Sequence, residues 1–86
     1  MDMNSDTVAI ISTKAKEILQ VEDDLADDED LTIRGLTSYS FIQLVVNLEI
    51  AFDIVIDDEK LLMENFTTIT KIYDVIRDGQ NERPKE

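Results

Sequence analysis

Ser38-Tyr39-Ser40-Phe41-Ile42-Gln43-Leu44-Val45-Val46-Asn47-Leu48-Glu49-Ile50-Ala51-Phe52 is the stretch whose reading decides the fold. Turning 100° per residue places Phe41, Leu44, Val45, Leu48 and Phe52 on one side, a stripe wide enough to face a core. Tyr39, Ile42, Val46 and Ile50 recur at steps of three, four and four and make a second apolar stripe. A helix apolar on two faces is either fully buried or offers one face to a partner. A chain of 86 residues has few helices with which to bury it on every side, so partner contact is the expectation.

Upstream of this helix the periodicity disappears. Glu22, Asp23, Asp24, Asp27, Asp28, Glu29 and Asp30 crowd into nine positions. A loop of this length in a small domain needs a task or an anchor, and Leu25, Leu31, Ile33 and Leu36 are spaced as anchors that drop into the core. A calcium loop is the sharper alternative for the acidic run. It lacks the central glycine and closing glutamate of an EF-hand, so a solvated loop is expected and no metal site. Further back, Val8, Ile11, Ala15, Ile18 and Leu19 mark a first amphipathic helix from Ser5, its expected N-cap, to about Gln20. Lys14, Lys16 and Glu17 lie on its solvated side.

Downstream, Ile54-Val55-Ile56 reads as an extended connector, and Asp57 or Asp58 as the cap of a short helix through Lys60, Leu61, Leu62 and Met63. Thr67 or Thr68 then opens a last helix with Ile69, Ile72, Tyr73 and Ile76 as its buried stripe and Gly79 as its stop. Phe41, Phe52, Phe66 and Tyr73 are expected to fill the interior. The fold class is therefore all-α: a small four-helix bundle, three longer helices and one short, with a long loop between the first and second. One domain is expected over 1–78, with 79–86 a disordered tail.

Composition narrows the function. Neither histidine nor cysteine occurs, which removes Ser-His chemistry, disulfides and the usual zinc ligands. Twenty acidic against eight basic residues give a net charge of −12, repelled by nucleic acid and by anionic membrane surfaces. No stretch approaches a membrane span and the opening residues lack a signal-peptide pattern, so a soluble, cytoplasmic monomer is expected. Ser38 stands where the acidic loop ends and the helix begins. Unpaired N–H groups and the helix dipole favour a phosphate there, although most serines at such positions simply cap.

From Leu31 to about Ile76 the chain resembles the acyl and peptidyl carrier proteins of fatty acid, polyketide and nonribosomal peptide synthesis. Gly35, Ser38, the helical run Ser40 to Glu49, Phe52-Asp53 and Thr67-Thr68-Ile69 carry the resemblance. It implies a non-catalytic carrier whose Ser38 receives 4'-phosphopantetheine from coenzyme A through a phosphopantetheinyl transferase. The thiol of that arm would hold acyl, polyketide or aminoacyl intermediates for loading and chain-building synthase enzymes. In this family the second helix docks onto those enzymes, which here implies Thr37, Tyr39, Ile42, Val46, Glu49 and Ile50. The commonest motif has aspartate before the serine and leucine or isoleucine after it; Thr37 and Tyr39 depart from it and bear on which transferase accepts the chain. Gln43, Asn47 and Ile50 stand where charges are usual in fatty acid carriers, which favours the polyketide and peptide settings. The competing function is an unmodified acidic adaptor that binds through the Tyr39, Ile42 and Val46 stripe.

Overall fold

The computed structural model describes residues 4–81. Three α-helices, α1 (Ser5–Leu19), α2 (Ser38–Phe52) and α3 (Ile69–Asn81), pack with two short 3₁₀ turns, Asp58–Lys60 and Met63–Phe66. No strand occurs among the described residues. α1 packs on both α2 and α3, and the second 3₁₀ turn closes the bundle against α2 and α3. The core joins Ile11 and Ala15 of α1, Leu44, Val45 and Leu48 of α2, and Ile69, Ile72, Val75 and Ile76 of α3. Phe66 is fully buried, and Phe41 meets it edge-on with ring centroids 5.0 Å apart. Phe41, Phe52 and Tyr73 are only partly buried and line the margin of the core.

The all-helical expectation holds, with its fourth, short helix replaced. Residues 60–63 do not form a helix: two 3₁₀ turns divide the segment, and neither Asp57 nor Leu62, at their starts, makes a side-chain cap bond. Alternation explains the preceding connector, where Ile54 and Ile56 are buried and Val55 between them is exposed. α1 is capped by Asn4, whose Oδ1 accepts from the Thr7 N–H at 3.1 Å, and not by Ser5. Of the two threonines before α3, Thr68 supplies the cap, its Oγ1 accepting from the Lys71 N–H at 3.1 Å.

α3 does not stop at Gly79 but runs through it to Asn81. Gly79 serves contact there, because a Cβ at this position would stand 2.9 Å from Ile54 Cδ1. The expected tail is thus helical over 79–81, and 82–86 lie outside the described residues.

The long loop is anchored along its path. Leu25, Leu31 and Leu36 enter the core as expected, but Ile33 is 81% exposed. Successive turns across 30–35 carry it outward, with Ile33 and Gly35 donating to Asp30 and Thr32 carbonyls. Gly35 has φ 112°, a conformation that favours glycine, with open space around it. Backbone bonds fasten the loop to the start of α3: Leu31 N–H to Thr67 O at 2.7 Å, and Thr70 N–H to Asp27 O at 3.0 Å.

Candidate functional site

The site is the entry to α2. Thr37 is the N-cap, extended at φ −113°, ψ 175°, and its Oγ1 accepts from the Ser40 N–H at 3.2 Å. Ser40 answers by accepting the Thr37 N–H on its Oγ at 2.7 Å, which closes a capping box. The two hydroxyl oxygens are 3.1 Å apart, and Ser40 Oγ also lies 3.2 Å from the Thr37 carbonyl. Ser40 is 9% exposed.

Ser38 lies between these partners as the first helical residue, exposed, and its hydroxyl has no hydrogen-bond partner among the described residues. The capping explanation for this serine therefore fails: its neighbours do the capping. No acidic residue occupies the first turn of α2. Thr37 thus performs the backbone task of a capping carboxylate without bringing a negative charge, and the N-terminal end of the dipole is left unopposed. An anionic group on Ser38 fits these surroundings.

Behind Ser38, α2 presents Tyr39, Ile42, Val46 and Ile50 outward, from 48% exposed at Val46 to 75% at Ile50. The two-stripe reading of the helix thus holds, with Leu44, Val45 and Leu48 buried on the opposite side. Glu49 behaves differently from this group. It is half-buried, and its Oε2 accepts from the Ile56 N–H at 2.9 Å, bracing the connector against α2.

Arg34, which drew no attention in the sequence, organises the acidic loop. Its guanidinium pairs with Glu29 and, at 2.7 Å, with Asp23. The hydrogen bond from Arg34, helped by the Ala26 N–H, holds the Glu29 carboxyl below its usual range. Bonds from the Thr32 hydroxyl and N–H do the same for Asp30. The legible signal was a lone cation in the loop that follows seven carboxylates. No group of acidic side chains is placed to hold a metal ion, and no helix is long and apolar enough to cross a membrane, among the described residues.

Comparisons with known proteins bear on the chain as a whole. The family model described as a phosphopantetheine attachment site matches residues 9–76. An aminoacyl carrier protein of Agrobacterium fabrum (strain C58 / ATCC 33970) is 34% identical over 71 residues, 83% of this chain and 86% of that protein. A similar chain occurs in the crystal structure of an engineered Bradyrhizobium japonicum glycine:[carrier protein] ligase complexed with carrier protein from Agrobacterium tumefaciens and AMP. The match has a TM-score of 0.74 and 32% identity, and it covers 81% of this chain and 97% of the other.

Proposed function

Because this chain belongs to the phosphopantetheine-binding carrier proteins, we propose that Ser38 bears the arm and that the cargo is an aminoacyl group. The observation that carries the site is the exposed Ser38 hydroxyl, left without an internal partner while Thr37 and Ser40 cap the helix around it. When attached, the arm supplies the thiol that holds the cargo as a thioester. Attachment bonds Ser38 Oγ to the pantetheine-bearing phosphorus of coenzyme A and breaks the pyrophosphate linkage, with adenosine 3',5'-bisphosphate as the leaving group and the hydroxyl proton released. No side chain among the described residues bonds to Ser38, so the base that takes the proton belongs to the transferase. The carrier itself performs no catalysis.

Of the fatty acid, polyketide and nonribosomal peptide settings, the aminoacyl one draws support from both named relatives. One is an aminoacyl carrier protein, and the other was crystallised with a glycine:[carrier protein] ligase. The partners we propose are a phosphopantetheinyl transferase and an aminoacyl ligase, meeting the carrier on the Tyr39, Ile42, Val46 and Ile50 face with Thr37 at its edge. A cysteine-free composition suits work in a reducing cytoplasm.

Mass spectrometry after incubation with coenzyme A, magnesium and a broad-specificity transferase tests the attachment. One phosphopantetheinyl group is expected on the wild type and on Ser40→Ala, and none on Ser38→Ala. An unmodified wild type would leave the unmodified adaptor in its place. The aminoacyl reading is tested on the modified protein with a glycine:[carrier protein] ligase, amino acid and ATP. A thiol-bound amino acid is expected, and failure across a panel of such ligases and amino acids would remove the cargo while leaving the site.

A further inference from the structure

Thr37 and Ser38 are adjacent residues that can each cap a helix, and serine ranks above threonine in that role. On intrinsic preference alone the helix would begin one residue later, with Ser38 Oγ accepting from the Phe41 N–H. The hydroxyl proposed to carry the arm would then be bound to its own backbone. The structure has the other register. Phe41 N–H donates instead to the Thr37 carbonyl at 2.8 Å, as the first full helical bond.

Ser40 is what separates the two registers. With Thr37 as cap, the third helical position is Ser40, whose Oγ accepts the Thr37 N–H at 2.7 Å. With Ser38 as cap, that position would be Phe41, which has no side-chain acceptor to return a bond and packs edge-on against Phe66. The shift would also take from the nearly buried Ser40 hydroxyl the Thr37 partners that now surround it. Leaving a buried hydroxyl unpaired is unfavourable.

We propose that Ser40 is a positioning residue for the modification of Ser38: its closed box with Thr37 keeps Ser38 inside the helix and its oxygen out of the cap. This rests on Ser38 being the attachment residue. The transferase acts on the register with the free hydroxyl, so a variant that populates the other register presents a smaller competent fraction.

The test compares the full-length wild type, Ser40→Ala, and Ser40→Ala combined with Thr37→Asp, by NMR and by transferase kinetics with coenzyme A. In Ser40→Ala the carbon shifts of Thr37 and Ser38 and the Phe41 amide should move toward a Ser38 cap. The KM for the carrier should rise about two- to fivefold with kcat unchanged, which corresponds to a competent fraction of about one-half to one-fifth. Aspartate at 37 is a stronger cap than threonine and should return the Ser38 carbon shifts and the Phe41 amide to their wild-type register. Thr37→Ala, at an exposed position, should give the same changes in the Ser38 carbon shifts and the Phe41 amide without disturbing the core. Wild-type shifts and KM in Ser40→Ala would overturn the proposal, as would Ser38-cap shifts in Ser40→Ala that Thr37→Asp fails to reverse. A wild type left unmodified at Ser38 would remove the attachment reading alone, since the shifts decide the cap register without the transferase.

Discussion

Gly79 and Ile54 meet so closely that a Cβ on the glycine would fall 2.9 Å from Ile54 Cδ1. In an ordinary helix interior, glycine to alanine gains about 1 kcal/mol. Here the methyl must displace a buried side chain, and overpacking of that kind costs about 1–3 kcal/mol. Gly79→Ala is therefore expected to leave stability unchanged or lower. In an Ile54→Val background, which removes Cδ1, the same substitution should stabilise. Urea denaturation of the four proteins in this cycle measures the coupling, and additivity would show that the contact is not limiting.

Glu29 should make the stability of the protein depend on pH through Arg34. Its carboxyl titrates below the ordinary 4.5 in the folded chain because it accepts from Arg34. A carboxyl depressed by folding contributes stability above its unfolded pKa and loses that contribution as pH falls through the folded value. Glu29→Gln should accordingly be less stable than wild type at pH 7, with the difference closing below about pH 4.5. Melts of the two proteins across that range check the sign. A gap that stays constant down to pH 3 would mean that the pairing does not act through this charge.

A net charge of −12 in so small a domain strains the compact state by self-repulsion. The ion pair of Arg77 with Asp74 is exposed, that of half-buried Lys16 reaches a fully exposed Asp24, and both contribute little. Raising NaCl from about 0.01 to 0.3 M shortens the screening length several-fold and should raise the melting temperature, with magnesium effective at lower concentration. A melting temperature that ignores ionic strength would show that the charges are already compensated.

Ile42 stands 61% exposed in the middle of the outward face of α2. Ile42→Ala should change stability by no more than about 0.5 kcal/mol, as exposed substitutions do. If the face docks partner enzymes, the same change should raise the KM for transferase or ligase about tenfold, the loss expected of a central apolar contact. Equal KM values for variant and wild type would place the docking surface elsewhere.

Gln20 ends α1 in the left-handed region at φ 59°, a position that favours glycine. Gln20→Gly should stabilise the protein by about 0.5–1 kcal/mol. Chemical denaturation at neutral pH reads this directly. A destabilised variant would indicate that the glutamine side chain carries packing that its exposure does not suggest.

The parts of the fold legible in the sequence are those set by periodicity. Leu44 and Leu48 are buried and Ile42 and Ile50 exposed because a helix turns 100° per residue whatever surrounds it. Ile33 was misplaced because it lies in a run of turns, where spacing from Leu31 and Leu36 carries no directional meaning. Gly79 looked like a terminator because glycine near a helix end commonly is one; only Ile54, far away in the chain, shows its packing role. Periodicity sets Glu49 beside the outward face, but its carboxylate turns to the Ile56 N–H seven residues on, in a connector whose path helix periodicity does not describe. At the candidate site, the Thr37 to Ser40 spacing was readable as a capping box. Ser38 is itself a fit cap, so the sequence alone leaves two registers open.

The ties of the acidic loop to Thr67 and Thr70 also bear on when this protein becomes competent. Asp27 and Thr70 are 43 positions apart in sequence, and Leu31 meets the Thr67 carbonyl across a similar span. Closing a loop of that length must wait for the start of α3 to exist and to dock. During synthesis, α2 can therefore form before the segment leading into Ser38 has anything to hold it. The expected order of events is bundle first, entry loop last, with the amides of Leu31 and Thr70 gaining exchange protection after those of Leu44 and Leu48 in a refolding experiment. On that order, Ser38, the proposed attachment residue, is presented in its final setting only by a chain that has already finished folding.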